Sequence, residues 1–392
     1  MVRLSIAIVV GVVMLAAAAV GAEGPPAGRS PSAGEGPWNK LPANRWVEVH
    51  RQREGDAVRF WRQEHGGSCF DSRRGRLILF GSNTHGEDWE NSPLTFDTQR
   101  REWSRLYPWD ESATYTVTAE GLPVAGPRGE HPWAMHTFGA VEYDAERDEM
   151  VVCSYPQHME PGRFTNALAG VWGKVTRHPT WVLHLETGKW EALPCEAVHF
   201  FPYCAVYDSK RKVIVGYRSD GVFELGGEPR QWKRVEKKGY LGYHTNAAYD
   251  AANEAVVVFG SNENANDVVV YRPGVEHGVR PTPGVRPPRD QHTPMCYEPV
   301  SQRVVVLVDA PDAAERTETQ TWLYDTAADA WEKLPEATLP FPLGMNYTME
   351  YDPGHGACLL VARAPGEGGW ATAVFALRVK LGGDDQGGGV RP

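Results

Sequence analysis

Several signatures that would assign a function directly are missing from this chain of 392 residues. It has no cluster of lysine or arginine, and 40 basic against 50 acidic residues give a formal net charge of −10 at pH 7. Nucleic-acid binding depends on basic stripes, so the balance argues against a nucleic-acid partner and against attraction to an acidic membrane surface. The sequence also has no Walker loop, Rossmann glycine fingerprint, G-x-S-x-G elbow or EF-hand loop. The commonest nucleotide-binding, hydrolase and calcium-binding motifs are therefore excluded.

The six cysteines do not have the spacing of a metal site. Five of them fall in apolar, strand-like runs, where a thiol usually serves as a small buried hydrophobic side chain. Cys195 and Cys204 are the only pair close in sequence. A disulfide between them is the alternative if the protein is exported to an oxidising compartment.

The N-terminus has the pattern of a secretory signal peptide over residues 1–22. Arg3 supplies the positive end, residues 6–20 are almost wholly apolar, and Val20-Gly21-Ala22 offers small residues for cleavage. The run is short for a permanent span, so we expect a secreted or periplasmic protein with no membrane span after cleavage; an uncleaved anchor is the alternative. Composition predicts a flexible linker at 23–43 and a disordered tail at 381–392.

Between these ends, an aromatic–acidic pair precedes a short apolar run six times. About five polar or turn-forming residues separate each pair from its run, which is typical of a tight β-hairpin. The runs are four to five residues long and rich in β-branched side chains, so they predict buried strands and not helices. The pairs are Phe70-Asp71, Tyr143-Asp144, Tyr207-Asp208, Tyr249-Asp250, Tyr297-Glu298 and Tyr351-Asp352.

A third apolar segment follows each run, and four units end in Trp-x-x-(Leu/Val). A further copy, Trp46–Val49, precedes the first complete unit, whereas the last unit has none. Four short antiparallel strands repeated six times predict an all-β fold, a six-bladed β-propeller over residues 44–380. In this arrangement the N-terminal copy becomes the outer strand of the last blade and closes the ring. A seventh blade hidden in an insertion and a two-sheet sandwich are the alternatives.

Units one and five resemble kelch repeats. Phe96-Asp97-Thr98…Trp103 and Tyr324-Asp325-Thr326…Trp331 are similar to the end of a kelch unit, and Phe80-Gly81 and Phe259-Gly260 to the end of its second strand. The family's Gly-Gly doublet is Gly-Ser here, so the chain resembles a divergent kelch-repeat propeller of the galactose-oxidase-central-domain-like superfamily. The resemblance implies strands that run from a central channel outward. Kelch folds host both binding modules and enzymes, so the fold does not choose the function.

Polar residues recur shortly before the aromatic–acidic pairs. By the resemblance they start the innermost strands and surround one mouth of the channel. Imidazoles at such a mouth bind a metal, act as acid or base, or donate to a ligand; alternatively, each fixes a neighbouring blade's backbone. No His-x-His or His-x-x-x-His spacing marks a preformed metal site, so a divalent metal cofactor stays an open option and catalytic residues stay unassigned. The residues are His65, His136, His199, His244, His292 and Asn346.

Two insertions, at 107–135 and 155–180, belong to the same face in this topology. They carry Trp109, Trp133 and Trp172, and the blade-one loop of that face carries His85. Exposed indoles suit the apolar faces of sugar rings, although local loop cores are an equal alternative.

The leading hypothesis is therefore an exported monomer that binds a glycan-related or other small-molecule ligand at the histidine-bearing channel face. One alternative is a metal-assisted polysaccharide lyase or glycoside-cleaving enzyme, which requires His136, His244 and His292 to converge on one point. The other is a protein-binding scaffold.

Overall fold

The computed structural model describes residues 37–59, 62–86, 88–156, 168–198, 200, 204–263, 266–310 and 316–382. The predicted signal peptide, most of the predicted linker, His199 and all but two residues of the predicted tail lie outside these ranges. Within them, no helix is long and apolar enough to cross a membrane.

The described residues form six sheets of four antiparallel strands each, which confirms the six-bladed β-propeller. In each blade the first strand lies at the channel and the fourth at the outer edge. Blade one has β2 (Gly67–Asp71), β3 (Arg76–Phe80), β4 (Leu94–Asp97) and β5 (Glu102–Arg105); blade two has β8 (Val141–Asp144), β9 (Glu149–Val152), β10 (Pro179–His184) and β11 (Lys189–Glu196). Blade three has β12 (Cys204–Asp208), β13 (Val213–Arg218), β14 (Gly221–Gly226) and β15 (Gln231–Glu236); blade four has β16 (Asn246–Asp250), β17 (Ala255–Phe259), β18 (Val268–Arg272) and β19 (Glu276–Val279). Blade five has β20 (Met295–Glu298), β21 (Arg303–Ala310), β22 (Glu318–Asp325) and β23 (Ala330–Leu339); blade six has β24 (Tyr347–Asp352), β25 (Ala357–Gly366), β26 (Gly369–Leu377) and β1 (Val47–Arg51).

The remaining elements are short. A hairpin of β6 (Thr116–Val117) and β7 (Pro123–Val124) lies in the first insertion, and helix α1 (Ala169–Trp172) lies in the second. Single turns of 3-10 helix cover Pro37–Lys40, Thr84–Gly86 and Ser112–Thr114. The outer strand of blade four, for which no Trp-x-x-(Leu/Val) copy exists, is β19.

The innermost strands form the ring. Strand β2 contacts β8, and the contacts continue through β12, β16, β20 and β24 back to β2. The apolar core lies between adjacent blades: Leu77 and Phe96 of blade one, for example, belong to one buried cluster with Leu359 and Val374 of blade six. Each blade therefore buries both faces against its neighbours. The stability of the fold depends on every blade having two neighbours.

The acidic member of each aromatic–acidic pair caps the hairpin that follows it. Asp250 Oδ1 accepts hydrogen bonds from the backbone N–H groups of Ala252 and Asn253, both at 3.0 Å, and Asp352 Oδ1 accepts from Gly354 and His355. Short carboxylates favour such turns because they satisfy backbone donors two and three residues on. All six acidic residues are buried. The repeated pair is thus first a turn-forming device.

The N-terminal strand closes the ring as the sequence predicts. Strand β1 pairs antiparallel with β26, with Val47 opposite Ala376 and Arg51 opposite Ala373. Trp46 donates from Nε1 to Thr321 Oγ1 at 2.9 Å, which adds a link to blade five. The pairing covers the outer edge of β26, an edge that would otherwise present unpaired backbone groups.

Two residues of the segment before β1 also pack on the ring. Trp38 and Leu41, which composition places in the linker, are buried with the cluster between blades six and one. The Trp38 indole donates to Thr98 O at 3.0 Å.

The six cysteines are free thiols. The alternative Cys195–Cys204 disulfide is therefore not formed in this structure. Cys204 is buried, with its sulfur 4.0 Å from Thr245 Oγ1.

Removal of β1 is expected to destabilise the whole propeller. A chain that begins after Arg51 loses the pairing with β26 and the buried side chains of Trp38, Leu41 and Val49. We expect its melting temperature to fall by roughly 5 °C or more, from the apolar burial lost. Thermal unfolding of this variant is compared with that of a chain that begins at residue 37, which retains these contacts. Equal melting temperatures for the two variants would show that the ring does not depend on β1.

Candidate functional site

Four blades place an aromatic or imidazole ring at the same backbone position, six residues before the acidic member of the pair. These residues are His65, Phe138, His244 and His292, and their φ angles are 58°, 40°, 66° and 58°. A positive φ is uncommon outside glycine, although histidine tolerates it better than most, and it costs on the order of 1–3 kcal/mol. In blade two the equivalent residue is Phe138, because His136 lies two positions earlier. A strained turn thus fixes the direction of each ring.

These four rings, here called the ring strip, meet across the channel mouth. Ring centroids are 5.2 Å apart between His65 and Phe138, 5.4 Å between Phe138 and His292, and 3.9 Å between His292 and His244. Blades two and five are opposite each other in a ring of six, so the contact of Phe138 with His292 spans the channel. The ring strip therefore closes this mouth of the channel.

Two further predicted residues extend the strip on the side of blade one. The His136 ring stacks on His65 with a centroid distance of 4.4 Å, and the exposed His85 ring meets His136 at 4.5 Å. The structure therefore brings His65, His85 and His136 together and, on the other side of Phe138, His244 with His292.

Three of the polar residues are followed by threonine, in His136-Thr137, His244-Thr245 and His292-Thr293, and two of these threonines have a structural role. Thr137 Oγ1 donates to Phe80 O at 2.8 Å and lies where a Cβ on Gly81 would stand only 2.1 Å away. Thr293 Oγ1 likewise lies only 2.5 Å from where a Cβ on Gly260 would stand. The Phe-Gly and His-Thr motifs are thus the two halves of one contact between neighbouring blades, and only glycine fits the first half.

Burial keeps the paired histidines neutral. It lowers the pKa of His292 to about 3, with smaller contributions from the nearby His244, His65 and Arg316. Burial likewise lowers the pKa of His244, against a hydrogen bond of its Nδ1 with Gln291 Oε1 at 2.8 Å. A neutral imidazole offers one donor and one acceptor nitrogen, which suits hydroxyl groups better than anions.

The ring contacts do not create a metal centre. Over the described ranges, no three His, Cys, Asp or Glu side chains come together in a way that could hold a metal ion. His136 and the His244–His292 pair lie on opposite sides of Phe138; the His136 ring stacks on His65, and the His244 and His292 rings are tilted by 37° to each other.

The predicted tryptophans have different surroundings. Trp133 is completely buried and donates from Nε1 to Val124 O at 2.9 Å, so its ring has no face open to solvent. Trp172 is half-buried against the same local core of the insertions. Trp109 lies under the Arg59 guanidinium, 3.6 Å from its ring centroid.

Asn346 is the blade-six residue at the same position, six before Asp352, and it contributes no ring. It forms an isolated β-bridge with Glu64, and its Oδ1 is buried without a hydrogen-bond partner among the described residues.

The channel interior holds two residues that the sequence analysis did not select, Glu142 and Glu350. They line a cavity of about 240 Å³ below the ring strip, to which all six inner strands contribute. Burial raises the pKa of Glu350 to about 8 and raises the pKa of Glu142 well above its usual value. A sequence signal for them exists, because both precede the acidic member of the pair by two residues. The other blades have Cys69, Val206, Ala248 and Cys296 at this position.

No protein-family model matches the chain, and no curated protein matches its sequence. Among solved structures, it is similar to a structural-genomics protein of unknown function from Bacteroides thetaiotaomicron VPI-5482. The TM-score is 0.47 and the sequence identity 10%, over 86% of this chain and 73% of that chain.

The buried, neutral His292 predicts acid sensitivity. Its pKa is about 3 in the folded state and ordinarily about 6.5, so its contribution to stability is complete above pH 6.5 and is lost as the pH falls towards 3. His292→Phe should therefore weaken the loss of stability over this range. Phenylalanine fits the backbone, because Phe138 adopts the same conformation in blade two.

The measurement is the melting temperature between pH 3 and 8. Val300→Ala, which changes an exposed side chain that does not titrate, should follow the parent's profile. Superimposable profiles for parent and His292→Phe would contradict the prediction.

Proposed function

We propose that this chain is an exported, divergent kelch-like propeller that binds a glycan-related ligand at the histidine-bearing channel mouth. The observation that carries the proposal is the ring strip. At its half-exposed end, the neutral imidazole of His244 and the ring of Tyr243 place apolar ring surface beside polar atoms, and sugar recognition needs both.

Exposed rings flank the strip on both sides. Tyr243 is 37% exposed and its ring centroid is 4.2 Å from that of His244, while His85 is exposed at the other end. Such rings give a sugar an apolar surface with polar groups at the margin. They lie at opposite ends of the strip, so a ligand that contacts both would lie across the closed mouth.

The first insertion holds the loop of His85 in place. Tyr115 OH donates to Trp89 O at 2.7 Å, and Ser82 N donates to Met135 O at 2.9 Å. The insertion has its own buried core around Trp133, so it braces this loop as a small rigid lobe. A preorganised loop loses less entropy on binding.

The geometry favours binding over the enzymatic alternative. Catalysis by the histidines requires His136, His244 and His292 around one point, and Phe138 lies between the first and the other two. The six-bladed fold is also compatible with a scaffold that binds another protein.

The binding proposal is tested on a glycan array, followed by calorimetry with the strongest ligand. Tyr243→Ala should weaken binding about threefold to tenfold, the effect of one aromatic stacking contact. Val300→Ala is the matched control, because Val300 is 78% exposed in the β20–β21 hairpin on the opposite face. No glycan bound by the parent, or an equal loss in both variants, would refute a glycan site at the strip.

Export has its own test. If the signal peptide is cleaved, mass spectrometry of the protein recovered from an extracytoplasmic fraction should find a mature chain that begins close to residue 23. A chain that keeps residues 1–22 and stays in the cytoplasm would contradict it.

A further inference from the structure

Two acidic side chains face the channel cavity below the ring strip. Glu142 of blade two and Glu350 of blade six both line it, and among the described residues that line it there is no lysine, arginine or histidine. A buried carboxylate without a counter-charge is costly, so such groups hold a proton or a cation.

Protein groups satisfy only part of each carboxylate. Glu350 Oε1 accepts from Ser68 Oγ at 2.8 Å, and Glu142 Oε2 accepts from the Tyr207 backbone N–H at 2.9 Å. A carboxylate has about four acceptor sites. One oxygen of each group is thus left to the cavity within the described part of the chain.

An independent observation points to an occupant. Thr348 lines the same cavity and is 4% exposed, and its Oγ1 has no hydrogen-bond partner among the described residues. Thr348 and Glu350 are two residues apart in β24, so their side chains lie on one face of the strand. A buried hydroxyl without a partner is unfavourable, and a cation that its oxygen coordinates removes this cost.

We propose that the cavity binds a hydrated calcium ion between Glu142, Glu350 and Thr348 Oγ1. Calcium takes six to eight oxygen ligands in flexible geometry and accepts carboxylates, hydroxyls and water together. At about 30 Å³ for each water, 240 Å³ has room for the ion and several waters. These three side chains offer only oxygen ligands, whereas most transition-metal sites use nitrogen or sulfur ligands.

The ion has a route to this site. The ring strip closes one mouth, but four half-exposed tyrosines line the cavity towards the other mouth: Tyr207, Tyr249, Tyr297 and Tyr351. Once bound, the ion connects blades two and six across blade one. Blade six is the blade that the N-terminus completes, so the ion braces the ring at its closure.

The test uses the purified full chain, treated with chelator and then titrated with calcium. We expect one bound calcium per chain by equilibrium dialysis. The melting temperature should rise by about 4 °C at a hundredfold excess over the dissociation constant. Magnesium, which demands near-octahedral geometry, should give a smaller rise.

The decisive variant is the double substitution Glu142→Gln/Glu350→Gln, which keeps shape and removes charge. It should fold without calcium, bind none and show no calcium-dependent rise. The matched control is Glu186→Gln/Glu367→Gln, two exposed carboxylates, which should respond as the parent does. No calcium bound by the parent, an equal response of the double variant, or a larger response to magnesium would each overturn the proposal.

Discussion

The pairing of β1 with β26 is the constraint on which the rest of this molecule depends. Every blade buries its two faces against neighbours, so a ring with a gap would expose two faces at once. The first described strand of the chain supplies the missing strand of the last blade. The positions of the channel, the ring strip and the carboxylates across the cavity all assume a closed ring.

The two chemistries of the channel follow from the position of residues along the inner strands. Six residues before the acidic cap, a left-handed turn directs rings over the mouth. Two residues before it, side chains line the interior, where blades two and six have glutamates. Phe138 belongs to both regions, because it spans the mouth and also lines the cavity. One strand pattern thus separates a neutral outer surface from an acidic interior.

Most of the fold could be predicted from the sequence because its determinants are local. An aspartate before a turn, such as Asp250, and an apolar run after it specify a hairpin wherever they occur. The orphan Trp46–Val49 copy then determines the closure by simple counting. The ring strip could not be predicted in the same way. The contact of Phe138 with His292 joins opposite blades, and a phenylalanine does not belong to the pattern of polar residues at the strand starts.

The same limit applies to the insertions and the carboxylates. Trp109 and Trp133 have similar sequence surroundings, yet only the folded lobe shows that Trp133 is enclosed. Glu142 and Glu350 stand out once the six units are aligned, but their approach to one cavity depends on the curvature of the ring.

The closure also has a consequence for the order of folding. Hairpins such as β2–β3 form from neighbouring residues, whereas Val47 must find Ala376 at the far end of the chain. Contacts of such long sequence separation form late, because loop closure costs entropy before any contact compensates it. During synthesis the first strand has no partner until nearly the whole chain has emerged. Until then, both faces at the open gap are apolar surfaces to which a chaperone could bind.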